Sequence, residues 1–134
     1  MKHLLVACAI IERDGAVLVT QRGAAMSLPL KWEFPGGKIE PSEQPKDCLR
    51  REIAEELGLN ISVKHVLPLH THCYNTITVT LCPFICTIES GELTLLEHAA
   101  FSWLTPEKLH DLDWAEADLP VVQNYLDRLK AILP

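Results

Sequence analysis

The chain has 134 residues, 18 acidic against 12 basic side chains and a formal charge of −6, and it is 48% hydrophobic and 22% charged. That length suits a single domain over residues 1–134, since domains commonly run to about 100–200 residues, and the composition excludes a disordered chain. The acidic balance and the lack of a basic run exclude a protein that grips a nucleic-acid polymer, although a lone nucleotide could still reach acidic side chains through Mg²⁺.

At the N-terminus, Leu5-Val6-Ala7-Cys8 looks like the box before a lipoprotein cysteine. Only Leu4 to Ala7 precede it as apolar residues, short of the roughly 7–15 that an export signal needs, and no apolar run is long enough for a membrane span. The five cysteines, Cys8, Cys48, Cys73, Cys82 and Cys86, are odd in number and lack a Cys-x-x-Cys pair, which argues against disulfides or zinc and for a reducing cytoplasm. Cys82 and Cys86 sit in an apolar, strand-like run and are expected as buried thiols.

In chain order, His3 to Ile11 and Ala16 to Thr20 form a hairpin turning at Asp14-Gly15, a strong turn signal. Gln21 to Lys31 is irregular, Trp32-Glu33-Phe34 is extended, and Pro35-Gly36-Gly37 is expected to break the backbone. A helix runs from about Pro45 to Leu57, capped by Ser42 or Glu43 and stopped by Gly58, with Leu49, Ile53 and Leu57 as its packing stripe. Ile61 to Ile88 suggests two antiparallel strands parted near Tyr74-Asn75, with Ser90-Gly91 as the next turn. A short strand over Ala100 to Leu104, a brief helix begun by Thr105-Pro106-Glu107 and a closing helix from Leu119 to Leu133 complete the chain.

The chemistry concentrates between Gly37 and Leu59. Glu52, Glu55 and Glu56 stand at i, i+3 and i+4, so a helix turns all three carboxylates to one side. Like charges so placed cost a few tenths of a kcal/mol per pair, a cost that a bound cation would offset. Hard oxygen donors suit Mg²⁺ or Mn²⁺, and such an ion favours phosphoryl chemistry by positioning phosphates and activating water. Taken alone, the three glutamates read more simply as a solvated acidic face.

Their company decides between the two. Gly37, five residues, Glu43, seven residues, and then Arg51-Glu52-Ile53-Ala54-Glu55-Glu56-Leu57-Gly58-Leu59 match every fixed position of the Nudix box. The preceding Trp32-Glu33-Phe34-Pro35-Gly36-Gly37-Lys38-Ile39-Glu40 resembles the lead-in of the MutT-like branch of the Nudix hydrolase superfamily, and the similarity extends over nearly the whole chain.

The resemblance implies an α+β Nudix fold, a mixed β-sheet sandwiched between α-helices. It also implies metal-dependent hydrolysis of a nucleoside triphosphate to a nucleoside monophosphate and pyrophosphate, with Mg²⁺ as cofactor and Mn²⁺ as an alternative. Gly37 would offer a carbonyl to the metal, Glu52, Glu55 and Glu56 its carboxylates, and Glu97, ahead of the Ala-Ala-Phe-Ser-Trp strand, a further ligand. Arg51 and Glu43 would form the salt bridge that braces loop to helix. Glu52 and Glu97 are both eligible as general base.

For substrate, Lys38 and Arg22 are candidates for binding phosphate, and Phe34, Tyr74 and Trp114 for stacking on the base, although aromatic residues are commonly core. His70 and His72 alternate on a strand that could reach the cleft; His98 is expected to be a bystander. The junction Trp114 to Pro120 reads the base in the MutT-like branch. There Asp118 stands where MutT has asparagine, and an ionised aspartate only accepts hydrogen bonds. That permits cytosine or an oxidised purine, so CTP and dCTP derivatives join 8-oxo-dGTP as candidates; a helix N-cap is the simpler role for Asp118. A Nudix pyrophosphatase of another nucleoside diphosphate derivative, and a non-catalytic nucleotide-binding Nudix domain, remain alternatives. A monomer or weak dimer is expected.

Overall fold

A computed structural model describes residues 2–132. Its strands are β1 (Lys2–Arg13), β2 (Ala16–Gln21), β3 (Trp32–Glu33), β4 (Gly36–Lys38), β5 (Leu59–Val66), β6 (His70–Cys73), β7 (Ile77–Gly91) and β8 (Ala100–Leu104). The helices are α1 (Pro45–Leu57) and α2 (Leu119–Ile132), with 3₁₀ turns over Pro106–Asp111 and Glu116–Asp118.

The hairpin turns at Asp14 and Gly15, both at positive φ, the conformation that a two-residue connection between twisted strands requires. β1 then runs parallel to β7 from Lys2 opposite Ile77 to Ile11 opposite Cys86. Its other edge takes β4 at Val6 to Cys8 and β2 at Glu12 and Arg13. β5 and β6 follow each other along the far edge of β7, while β3 and β8 both pair with β2. The result is a mixed eight-stranded sheet.

Strand side chains alternate between faces, and here each face meets a helix. Ala7, Ala9 and Ile11 pack with Leu49, Ile53 and Leu57 of α1 in one core. Cys8, Ile10, Val17 and Val19 pack with Val121, Val122 and Tyr125 of α2 in the other. Full burial of each large aliphatic side chain contributes about 1.5–3 kcal/mol, so α1 is held rigidly by the stripe beside its glutamates. Truncating Ile53, which is wholly buried, to alanine would cost about 2–5 kcal/mol.

Several local expectations are corrected. Gly36 and Gly37 do not break the chain but form β4; a Cβ on Gly36 would lie 1.9 Å from the Ala7 carbonyl oxygen, so glycine is there for close approach between strands. The run from Ile61 to Ile88 holds three strands rather than two, because Leu67-Pro68-Leu69 separates β5 from β6 and proline cannot donate to a ladder. Neither Ser42 nor Glu43 caps α1: the N-cap is Gln44, without a side-chain cap, and Pro45 opens the helix. Gly58 does end it in the left-handed conformation, its N–H bonded to the Ala54 carbonyl. Gly91 belongs to the end of β7. The last residues of the predicted closing helix, beyond Ile132, lie outside the described residues.

Cys8, Cys48, Cys82 and Cys86 are buried free thiols and Cys73 is exposed; burial pushes the Cys86 thiol up to about 12. Among the described residues no helix is long and apolar enough to cross a membrane.

Candidate active site

Ile53 and Leu57 anchor α1 in the core, and this rotation leaves Glu52 and Glu56 half-buried and Glu55 exposed. Arg51 lies among them. Its Nε and one terminal nitrogen donate to the two oxygens of Glu43 at 2.8 Å each, a bidentate fork. The other terminal nitrogen donates to Glu52 at 3.0 Å and Glu55 at 3.3 Å. Glu43 also accepts the Glu40 N–H, so the loop before α1 is tied to the helix by its own acid. The Arg51 guanidinium, ahead of the Glu40 N–H, holds the Glu43 carboxyl down at about 2, and the same pairing raises the guanidinium.

Gly37 passes directly beneath Glu52, where a Cβ would lie 2.2 Å from the carboxylate carbon; any larger residue would displace that glutamate. Glu56 is half-buried among like charges. Burial first, then the charges of Glu52, Glu97 and Glu33, push its carboxyl up to about 8, and its Oε2 is buried without a hydrogen-bond partner. Glu97 is exposed on the loop between β7 and β8, which reaches α1 through the Leu96 N–H bonded to the Glu56 carbonyl.

Among the described residues no three His, Cys, Asp or Glu side chains stand ready to hold a metal, and Arg51 pairs with both Glu52 and Glu55. The donor chemistry nevertheless fits a hard divalent cation. Several carboxylates lie on one face, one carries a buried oxygen with no partner, and the Gly37 carbonyl on β4 lies close enough to α1 to take a weak contact from the Cys48 thiol at 3.7 Å.

A cleft leads away from this face. A cavity of about 190 Å³ lined by Gly37, Lys38, Glu56, Phe34 and His98 adjoins one of about 640 Å³ reaching Tyr74, Asn75 and Glu116. Arg22, Glu33 and Asp118 line both. Asp118 sits at the joint, 6% exposed, and accepts the Phe34 backbone N–H at 3.0 Å. Burial pushes its carboxyl up to about 8. Burial thus favours the protonated carboxyl over the accept-only aspartate expected from the sequence, and Oδ2 accepts from Phe34.

Of the phosphate candidates, Lys38 is exposed at the mouth of the smaller cavity, whereas Arg22 is engaged by Glu33 at 2.8 Å and by the Ser27 carbonyl and hydroxyl. Phe34 and Trp114 are core residues, 4.8 Å apart and tilted, and the Trp114 indole donates to the Leu109 carbonyl. Tyr74 lies in the cleft wall, its hydroxyl accepting the Ala117 N–H. His72 packs edge-on against it and meets Glu116 at 3.0 Å; His70 turns to Asn124.

Two residues escaped the sequence reading. Glu33 bridges Arg22 and His98, and His98, expected as a bystander, is buried. Strand alternation in Trp32-Glu33-Phe34 was the available signal for Glu33, since it sets that carboxylate opposite two aromatic neighbours.

A mixed sheet between two helices, with a glycine strand beneath a glutamate-bearing helix, is the architecture of one family, and the chain belongs to it: the NUDIX domain model matches residues 1–125. It is a hydrolase of that family. It is 36% identical to the CTP pyrophosphohydrolase of Escherichia coli K12 over 134 residues, covering 100% of this chain and 98% of that one. It is 37% identical to the putative 8-oxo-dGTP diphosphatase 2 of Mycobacterium tuberculosis H37Rv over 122 residues, 88% of this chain and 84% of the other. Among solved structures, the Escherichia coli ORF135 protein superposes with a TM-score of 0.85 at 34% identity, covering 98% of this chain and 94% of that one. A Nudix MutT protein from methicillin-resistant Staphylococcus aureus gives 0.74 at 43%, covering 92% and 95%.

Proposed function

We propose that residues 1–134 act as one nucleoside triphosphate pyrophosphohydrolase that uses Mg²⁺ to release a nucleoside monophosphate and pyrophosphate. CTP, dCTP derivatives and 8-oxo-dGTP are the candidate substrates. One observation carries this reading: a cavity lined by Gly37, Lys38 and Glu56, the last on the helix that also carries Glu52 and Glu55, adjoins a larger chamber with which it shares the buried carboxyl of Asp118. Phosphates belong at the first end and a base at the second. The names of the two curated relatives support the same class of substrate.

In this reading Glu52, Glu55 and Glu56 hold the cation with the Gly37 carbonyl, and Glu97 joins them. A bound Mg²⁺ supplies charge neutralisation and lowers the pKa of water for attack. Arg51 and Glu43 brace the carboxylates, Lys38 supplies fixed positive charge for phosphate, and Glu52 or Glu97 accepts the proton from the attacking water. Arg22, held by Glu33 and Ser27, forms the wall between the two ends. Asp118, whose carboxyl burial raises to about 8, would present a donor as well as acceptors when protonated, a repertoire compatible with an oxidised guanine as well as with cytosine. Such an enzyme would serve nucleotide-pool sanitation and thereby DNA repair in the cytoplasm.

The experiment is a comparison of kcat/KM for CTP, dCTP, 5-methyl-dCTP and 8-oxo-dGTP with Mg²⁺, reading pyrophosphate. Release that EDTA abolishes is the expected result; if none of the four yields pyrophosphate, the reading fails.

A further inference from the structure

His98 is the one buried histidine among the described residues, its side chain only 2% exposed. Its Nε2 meets Glu33 Oε2 at 3.0 Å; since a carboxylate accepts, the ring nitrogen donates. The other oxygen of Glu33 accepts from Arg22 at 2.8 Å, and Arg22 donates onward to the Ser27 carbonyl at 2.5 Å and hydroxyl at 2.9 Å. One row of polar contacts thus crosses from the loop before β8, over β3, to the loop after β2.

Both supports of that row are short. β3 has two residues and is held to β2 at Thr20 and Gln21. In the loop between β7 and β8, Leu96, Glu97 and Ala99 are exposed, so His98 is the side chain by which that stretch enters the interior. The other ring nitrogen, Nδ1, is buried with no hydrogen-bond partner. A buried polar atom left unpaired opposes folding, and an apolar side chain of similar shape would avoid that cost. Packing alone therefore does not account for an imidazole here; the contact to Glu33 does.

We propose that His98 is a positioning residue of the active site. It fixes the Glu33 carboxylate, and through it the Arg22 guanidinium, in the cleft wall, and it locks the loop that sets Glu97 beside Glu56. His98 acts through these groups and is not itself a catalytic residue. The kinetic consequence rests on the hydrolysis proposed above; the fixing of Arg22 does not.

The test compares His98→Ala, His98→Gln, Glu33→Gln and the double variant His98→Ala with Glu33→Gln. Glutamine can present a donor near the Nε2 position without the second ring nitrogen. We expect His98→Ala to lower kcat/KM about tenfold or more, His98→Gln to recover most of that loss, and the double variant to be no worse than the poorer single one, because both cut the same row. Full activity in His98→Ala, equal impairment in the alanine and glutamine variants, or losses that multiply in the double variant would overturn the proposal.

A second measurement needs no turnover. The Arg22 Nε–Hε NMR resonance, assigned by its loss in Arg22→Lys, should shift or broaden in His98→Ala and return in His98→Gln. An unchanged resonance in His98→Ala overturns the positioning role, whereas a wild-type protein inert toward all four triphosphates overturns only the proposed reaction.

Discussion

Glu56 shows how a candidate metal ligand can oppose the fold that carries it. Its carboxyl is raised to about 8 from an ordinary 4.5, so the folded state binds the extra proton between those limits. Stability from this group is therefore complete below about pH 4.5 and lost as pH rises toward 8. In metal-free protein, Glu56→Gln should melt higher than wild type at pH 9 and converge with it near pH 5. The same variant should lose about 100-fold or more in kcat with Mg²⁺, since losses of 10–100-fold already follow from groups that merely support a metal ligand. Asp118 obeys the same sign, with its window from about 3.8 to 8. Asp118→Asn should raise Tm at pH 9 by at least about 3 °C with little change at pH 5, measured by thermal melting across that range. The amide keeps a donor and an acceptor, so its base preference should vary less between pH 7 and 9 than that of the wild type.

At the scale of elements, the loop before α1 is tied to the helix by the fork from Arg51 to Glu43. Here the shift is downward, to about 2. The pair therefore contributes stability above the ordinary carboxylate pKa, and that contribution is lost as pH falls from about 4.5 toward 2. Glu43→Gln should flatten the acid limb of the stability curve in that window while leaving the alkaline limb unchanged, which Tm measured at intervals between pH 2 and 6 would check. β4 depends on a different kind of fit. Its glycines are required by neighbouring backbone and by Glu52, so β4 passes close beneath α1, which a strand with side chains at these positions could not do.

For the molecule as a whole, the two cores fix α1 and α2 on opposite faces of the sheet, and the cleft runs from α1 to the turn preceding α2. A cation that binds the folded state alone stabilises it by mass action, about 2.7 kcal/mol at 100 times its Kd. Raising Mg²⁺ should therefore raise the Tm of the wild type and leave that of a Glu55→Gln, Glu56→Gln double variant nearly unchanged. A scanning-calorimetry titration reads this without any substrate.

The sequence by itself determined the elements whose signals are local: the Asp14-Gly15 turn, the bounds of α1 from Pro45 to Leu57, its Gly58 stop, the Ala100–Leu104 strand and the shared face of Glu52, Glu55 and Glu56. Each depends on spacing along a few turns or a single hairpin, where near neighbours set the energy. Only the tertiary structure decided that Gly36 and Gly37 form a strand, that Asp118 is buried with its carboxyl pKa raised, and that Glu33 and His98 meet across 65 residues of chain. Those outcomes rest on burial and long-range approach, and a carboxyl's proton affinity or a glycine's necessity depends on atoms that only folding brings near.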